Sequence, residues 1–193
     1  MLRLTGGFHK GRKLKSPEGL NTRPTTEGNR EALFNFLENA LQHPTSKVLD
    51  LFAGSGALTC EAISRGADSA VLIESGKEAQ KIITENIRSL EPKFTSRILS
   101  ESRLERWADQ LLEVGDNFLP FDTVFCDPPY GKGFLERSFK ALLPQRSLWA
   151  PGVLFCVELS SRDPFEVPPE LEIVKDKTRG ESRIMILRFI AAT

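Results

Sequence analysis

Histidine, tyrosine and cysteine are scarce in this chain, and each scarcity removes a class of chemistry. Its 193 residues include two histidines, one tyrosine and three cysteines. His9 and His43 have no partner at metal-ligand spacing, so no metal site is expected. Neither abuts a nucleophile turn, which disfavours a Ser-His-Asp hydrolase. Cys60, Cys126 and Cys156 lie 66 and 30 residues apart. That spacing is neither a disulfide framework nor a metal cluster, so they read as buried apolar positions in a reduced compartment. Long apolar runs are also missing. The longest, 153–157, has five residues, against the roughly 20 of a membrane-spanning helix. The N-terminus is basic and glycine-bearing with no apolar stretch behind it, unlike a secretory signal. A soluble, cytoplasmic protein is expected. Hydrophobic residues at 40% and charged residues at 27% suit one sizeable core and exclude a disordered chain.

Net charge is absent as well, with 26 basic against 26 acidic residues, but the balance is uneven along the chain. Residues 1–30 hold seven bases and two acids, a net of +5, leaving 19 bases against 24 acids elsewhere. Such segregation suggests a basic arm, 1–26, on a domain spanning 27–193. Basic arms commonly meet phosphate backbones, though a solvated loop would look the same.

The arm reads as extended, broken by Pro17, Gly19 and Pro24. A helix is expected from an N-cap at Thr25 or Thr26, with Ala32, Leu33, Phe36, Leu37, Ala40 and Leu41 on one face and a stop at Pro44. Strands are then expected at 47–52, 70–73, 95–99, 123–126 and 153–159. Helices alternate with them at 57–65, 77–90, 104–114 and 134–143, and strands at 172–177 and 183–189 close the chain as a hairpin. Apolar strands alternating with helices indicate a doubly wound α/β fold, a mostly parallel sheet with an antiparallel C-terminal edge.

Three stretches stand at strand ends, where such sheets bind ligands. Asp50 precedes Leu51-Phe52-Ala53-Gly54-Ser55-Gly56, whose glycines let a ligand approach the backbone. Thr59 replaces the third glycine of a dinucleotide site, and no Gly-Lys-Ser/Thr follows, so hydride chemistry and a P-loop are disfavoured. A turn with an acid and few backbone donors suits a cofactor without phosphates. Glu74, 24 residues after Asp50, can accept both hydroxyls of a ribose. Asp127-Pro128-Pro129-Tyr130 follows the fourth expected strand, which neighbours the first in this architecture. Two prolines remove two donors and leave acceptors, the Asp127 carboxylate and the Pro128 carbonyl. These complement the exocyclic amine of a nucleobase, and Tyr130 offers it a stacking face. With Tyr130 rather than cysteine closing that loop, covalent methylation of a pyrimidine carbon is disfavoured.

These motifs resemble the amino-methyltransferase branch of the S-adenosylmethionine-dependent Rossmann-like methyltransferases. More narrowly, Arg3 to Gly7, Gly11-Arg12-Lys13-Leu14, Arg23-Pro24-Thr25-Thr26, Arg30 to Asn35 and Asp50 to Leu58 resemble the bacterial 16S rRNA guanine(966)-N2 methyltransferases. The resemblance covers nearly the whole chain. It implies a seven-stranded sheet, a monomer, S-adenosylmethionine as donor, and 16S rRNA in the 30S subunit or an assembly intermediate as partner. It further implies that Phe52, Ala53, Gly54 and Gly56 pass the methionine part of the cofactor. Glu74 would hold the ribose, Glu101-Ser102 would lie along the adenine, and Asp127 to Tyr130 would grip the guanine. Arg3, Lys10, Arg12, Lys13 and Arg23 would position RNA through phosphates. Two positions depart from the pattern. Gly28-Asn29 stand where the family usually has Arg-Val, and Glu101-Ser102 where it has Asp or Asn followed by Ala. An amine methyltransferase acting on DNA adenine or protein glutamine, and a non-enzymatic RNA-binding module, are the alternatives.

Overall fold

The stretches dense in β-branched and large apolar residues form strands, and the segments with apolar residues at helical spacing cover them. A computed structural model describes residues 2–16, 27–41, 46–129 and 131–190, without the side chains of 39–41. Seven strands form one sheet in the order β3-β2-β1-β4-β5-β7-β6. They are β1 (Lys47–Leu51), β2 (Ser69–Ile73), β3 (Thr95–Leu99), β4 (Phe121–Cys126), β5 (Trp149–Ser160), β6 (Leu171–Arg179) and β7 (Ser182–Phe189). The first five run parallel, and β7 lies antiparallel between β5 and β6. The α/β class, strand number and antiparallel C-terminal edge are as the sequence led one to expect. The helices are α1 (Glu27–Leu41), α2 (Ala57–Ser64), α3 (Lys77–Leu90), α4 (Trp107–Leu112) and α5 (Phe134–Leu142). Among the described residues no helix is long and apolar enough to cross a membrane.

Side-chain alternation along the strands divides the apolar residues into two cores, one on each face. Leu49, Val71, Val124 and Phe155 pack with α4 and α5, while Val48, Leu72, Phe125 and Cys156 pack with α1, α2 and α3. A central strand covered on both sides needs no polar face, which is why β2 is buried at every position. The strand order reverses between β1 and β4, so their C-terminal ends open onto a shared crevice.

Three elements differ from the sequence-based expectation. The helix expected at 104–114 begins as a 3-10 turn, Leu104–Arg106, and only 107–112 are α-helical. Glu101 causes the tightening, because its carboxylate accepts the Arg103 N–H at 2.9 Å and its carbonyl accepts Trp107 Nε1 at 3.3 Å. β5 starts four residues early and contains Pro151. The ladder with β4 shifts register there, so the missing proline donor falls in a bulge. In α1 the buried aromatic is Phe34, fully enclosed, whereas Phe36 is 37% exposed. The expected N-cap at Thr25 or Thr26 and stop at Pro44 lie outside the described residues, as do Arg23 and Tyr130.

Residues 2–16 do not stand off as an extended arm. They double back on themselves, with Arg3 bridged to Lys13 and Leu14 N–H donating to the Leu2 carbonyl. Leu4 and Leu14 enter the core on the α1–α3 side. The fully buried Glu61 carboxylate on α2 accepts the Thr5 N–H (3.0 Å), the Thr5 hydroxyl (2.7 Å), the Gly6 N–H (2.8 Å) and Arg65 Nε (3.3 Å). Gly7 lies so close to Ser64 that a Cβ there would sit 1.8 Å from its carbonyl oxygen. Composition revealed the charge of this segment, but its attachment depends on an acid 56 residues away.

Candidate active site

The crevice is lined by the loops that leave β1, β2, β3 and β4. After β1 the chain folds tightly, with Ala53 N–H donating to the Ile73 carbonyl (3.1 Å) and Gly56 N–H to the Ala53 carbonyl (2.7 Å). Phe52, Gly54 and Gly56 all have positive φ, at 63°, 56° and 72°. For Phe52 that conformation costs about 1–2 kcal/mol, which aromatic packing offsets. Its ring lies 5.0 Å from Trp107 and 5.8 Å from Phe134, centroid to centroid. Trp107 begins α4 and Phe134 begins α5, so this one ring ties together three of the loops around the crevice. Over Gly54 the space is open, since a Cβ there would meet only the Phe52 carbonyl oxygen, at 3.9 Å.

Glu74 leaves β2 and returns to that turn. Its Oε2 accepts the Gly54 N–H at 2.9 Å and its Oε1 the Gly76 N–H at 2.7 Å. Gln80 Nε2 donates to its main-chain carbonyl at 2.6 Å. Each carboxylate oxygen keeps a second lone pair for another donor.

Asp50 lies beneath the turn and is 2% exposed. Thr59 Oγ1 donates to its Oδ2 at 2.7 Å. Burial pushes the Asp50 carboxyl up to about 7; the Thr59 bonds oppose that shift and the charge of Glu74 adds to it. Asp50 therefore braces the first turn of α2 from below. Thr59, where a dinucleotide site would carry glycine, is the hydroxyl that makes this brace.

Glu101 and Ser102 part company. The Glu101 carboxylate turns toward α4, where Arg103, Arg106 and Gln110 approach its oxygens at 3.4–3.5 Å. The Arg103 N–H, more than any other group, holds it below the usual carboxylate range. Ser102 is exposed.

Leu51 pairs in register with Cys126, so Phe52 and Asp127 emerge side by side. Asp127 is half-buried, Pro128 buried and Pro129 exposed. Beyond them Gly131 N–H donates to Asp163 Oδ2 at 3.3 Å. Ser161 N–H in turn donates to the Glu181 carbonyl at 2.8 Å, joining this loop to the β6–β7 turn. Asp163 carries no motif and was not foreseen. All three cysteines are buried, and desolvation raises each thiol, so none is activated as a nucleophile.

The expected RNA-contacting residues Arg3, Lys10, Arg12 and Lys13 are exposed on the N-terminal loop. The tip of that loop is bonded to the end of α2 away from the glycine turn, through Phe8 N–H to the Ser64 carbonyl and His9 N–H to Ser64 Oγ. Its base reaches the crevice through Asn86, which accepts the Lys15 N–H and donates to the Ser55 carbonyl.

Comparison with known proteins identifies this architecture. Residues 2–188 match the family model described as conserved hypothetical protein 95. Ribosomal RNA small subunit methyltransferase D of Escherichia coli is 33% identical over 181 residues, covering 93% of this chain and 86% of that protein. Its Haemophilus influenzae counterpart is 31% identical, covering 93% and 89%. A solved Escherichia coli structure, described as a candidate methyltransferase, superposes with a TM-score of 0.78 at 31% identity, covering 99% of both chains. A Thermus thermophilus structure gives a TM-score of 0.75 at 27% identity, covering 96% and 98%. The glycine turn, Glu74 and the Asp127 loop thus stand in a chain that belongs to the ribosomal RNA small subunit methyltransferase D family of methyltransferases.

Proposed function

We propose that this methyltransferase moves a methyl group from S-adenosylmethionine to the exocyclic N2 amine of a guanine in 16S rRNA. It acts as a cytoplasmic monomer on the small ribosomal subunit or an assembly intermediate. The observation that carries this reading is the pairing of Leu51 with Cys126, which sets the open glycine turn beside Asp127-Pro128-Pro129. A donor on the turn and an amine on the loop would share one crevice.

The residues present fit S-adenosylmethionine. Open space over Gly54 admits a ligand against the backbone, and the free lone pairs of Glu74 suit two ribose hydroxyls. When bound, the cofactor supplies an electrophilic methyl on a sulfonium. A guanine amine is a weak nucleophile because its lone pair is delocalised into the ring. The Asp127 carboxylate and the Pro128 carbonyl accept the two amine hydrogens, which turns the lone pair out of conjugation and toward the methyl. As the N–CH3 bond forms and the S–CH3 bond breaks to leave a neutral thioether, the nitrogen becomes cationic, and Asp127 or water takes one of its two protons. Tyr130 stacks on the base. Phe52, Trp107 and Phe134 hold the loops at fixed spacing, which matters because orientation rather than basicity limits such a transfer.

Methyl transfer from labelled S-adenosylmethionine to unmethylated 30S subunits, naked 16S rRNA, DNA and protein tests the reading. Label is expected in one guanine of 16S rRNA. Label in DNA adenine or protein glutamine, or no transfer with RNA binding intact, overturns it.

A further inference from the structure

A basic strip lies on the edge strand β6. Lys175, Lys177 and Arg179 pair with Ile186, Ile184 and Ser182 of β7. They line one side of a groove whose other walls include Asn29, Ala32 and Leu33 of α1. A bulge at Val174 puts them there. Ile173 pairs with Leu187 and Lys175 with Ile186, so the extra residue moves every later side chain of β6 to the opposite face.

Charge is sorted between those two faces. On the face away from α1, Asp176 accepts two bonds from Arg183, at 3.0 and 2.6 Å. On the α1 face Glu172 is already engaged by Arg188 at 2.6 Å. Lys177 and Arg179 are exposed and make no ion pair with any described residue. Lys175 rests over the Phe36 ring, with Nζ 4.6 Å from the centroid. The Arg179 guanidinium occupies the space above Gly28, where a Cβ would lie 2.8 Å from Nη1. Glycine at the start of α1 therefore leaves room for a cation contributed by the end of β6.

The strip also leads to the crevice. Arg179 is two residues from Glu181, whose carbonyl accepts the Ser161 N–H, and Asp163 in the same turn accepts the Gly131 N–H of the Asp127 loop. We infer that Lys175, Lys177 and Arg179 form a phosphate track for the RNA strand flanking the target nucleotide, running along the α1–β6 groove to the crevice. This inference rests on the rRNA reading above. Three cations on one face of a strand, none in an ion pair with a described residue and two of them, Lys177 and Arg179, exposed on the side of the base-binding loop, complement a nucleic-acid backbone. The apolar floor of Leu33, Ile184 and Ile186 gives the sugars a surface without competing acceptors.

The test is the salt dependence of RNA binding by the full chain carrying Lys175→Gln, Lys177→Gln and Arg179→Gln together. With 16S rRNA fragments followed by fluorescence anisotropy, the slope of log K against log salt should fall by about 2–3, at roughly 0.7–0.9 per lost phosphate contact. Affinity at 0.1 M salt should drop by about two orders of magnitude, the gap closing toward 1 M. Arg179→Lys alone should keep the slope. In methyl transfer KM for RNA should rise while kcat at saturating RNA holds, and the melting temperature should not change. An unaltered slope and affinity in the triple variant overturn the track. A concentration-dependent dimer that the triple variant abolishes while RNA binding stays the same would assign the groove to a second copy and also overturn it. Failure of the rRNA reading shows separately, as a wild-type protein that transfers no methyl to rRNA.

Discussion

Replacing Glu74 separates a cofactor-binding role from a merely structural one. Its two oxygens hold the Gly54 and Gly76 amides at 2.9 and 2.7 Å, and the proposed reading adds two ribose hydroxyls. A hydrogen bond to a charged group contributes about 1.5–3 kcal/mol. Loss of two such bonds at the lower value predicts a deficit of about 3 kcal/mol for Glu74→Ala, roughly 150-fold in Kd for S-adenosylmethionine. Glu74→Gln is the sharper probe. It preserves volume and one acceptor, but its amide NH2 must face either the Gly54 or the Gly76 N–H, so donor meets donor. Its deficit should fall between wild type and alanine. Isothermal calorimetry reads the affinity, and thermal denaturation without cofactor reads the cost of losing the two backbone bonds. A folded Glu74→Ala protein with a lowered melting temperature but a Kd within threefold of wild type would refute the reasoning, leaving Glu74 as a brace for the turn.

Other perturbations probe the remaining assignments. Asp127→Ala and Asp127→Asn should both cut the single-turnover rate on 30S subunits while cofactor affinity holds, and Tyr130→Phe should retain most activity where Tyr130→Ala loses roughly 1–3 kcal/mol of stacking; near wild-type rates for Asp127→Asn and Tyr130→Ala would remove the loop from catalysis. Asp50 predicts a pH effect on stability: its carboxyl holds a proton to about pH 7 in the fold against 3.8 for an ordinary aspartate, so the native state binds the extra proton between those values. The stabilisation is complete below about pH 4 and lost as pH rises through 7, on the order of 4 kcal/mol for a shift of this size. Asp50→Asn should flatten that decline in urea titrations at pH 5 and pH 8, and parallel curves for the two proteins would contradict it. Glu61→Ala leaves the Thr5 and Gly6 donors and Arg65 without their buried acceptor, a change of about 3–5 kcal/mol, or less if residues 2–16 simply undock. Hydrogen exchange at the Thr5 and Gly6 amides should quicken sharply, and unchanged protection would show that Leu4 and Leu14 alone hold the loop.

Much of the fold was legible because it depends on local periodicity. Strands with continuous apolar runs, such as β2 and β4, and the helix α3, whose Ala79, Ile82, Ile83, Ile87 and Leu90 are all buried, carry their pattern in adjacent residues. Less was legible where a group outside the segment decides its conformation. Nothing in 104–114 announces that Glu101 will tighten its first turn, and nothing around Pro151 announces the bulge that lets β5 start before it.

By itself, the sequence determined the parallel direction of the first five strands, the turn after β1, and the acceptor-only character of Asp127 to Pro129, since all three follow from residue type at short spacing. Only the tertiary structure decided what those residues face. It placed Asp50 under the turn rather than in it, turned the Glu101 carboxylate into α4, and attached the basic N-terminal segment to Glu61. It also moved Lys175, Lys177 and Arg179 to the α1 face through one inserted residue, Val174. In these cases a buried acid or a shift in strand register made the choice, and neither is set by residue type alone.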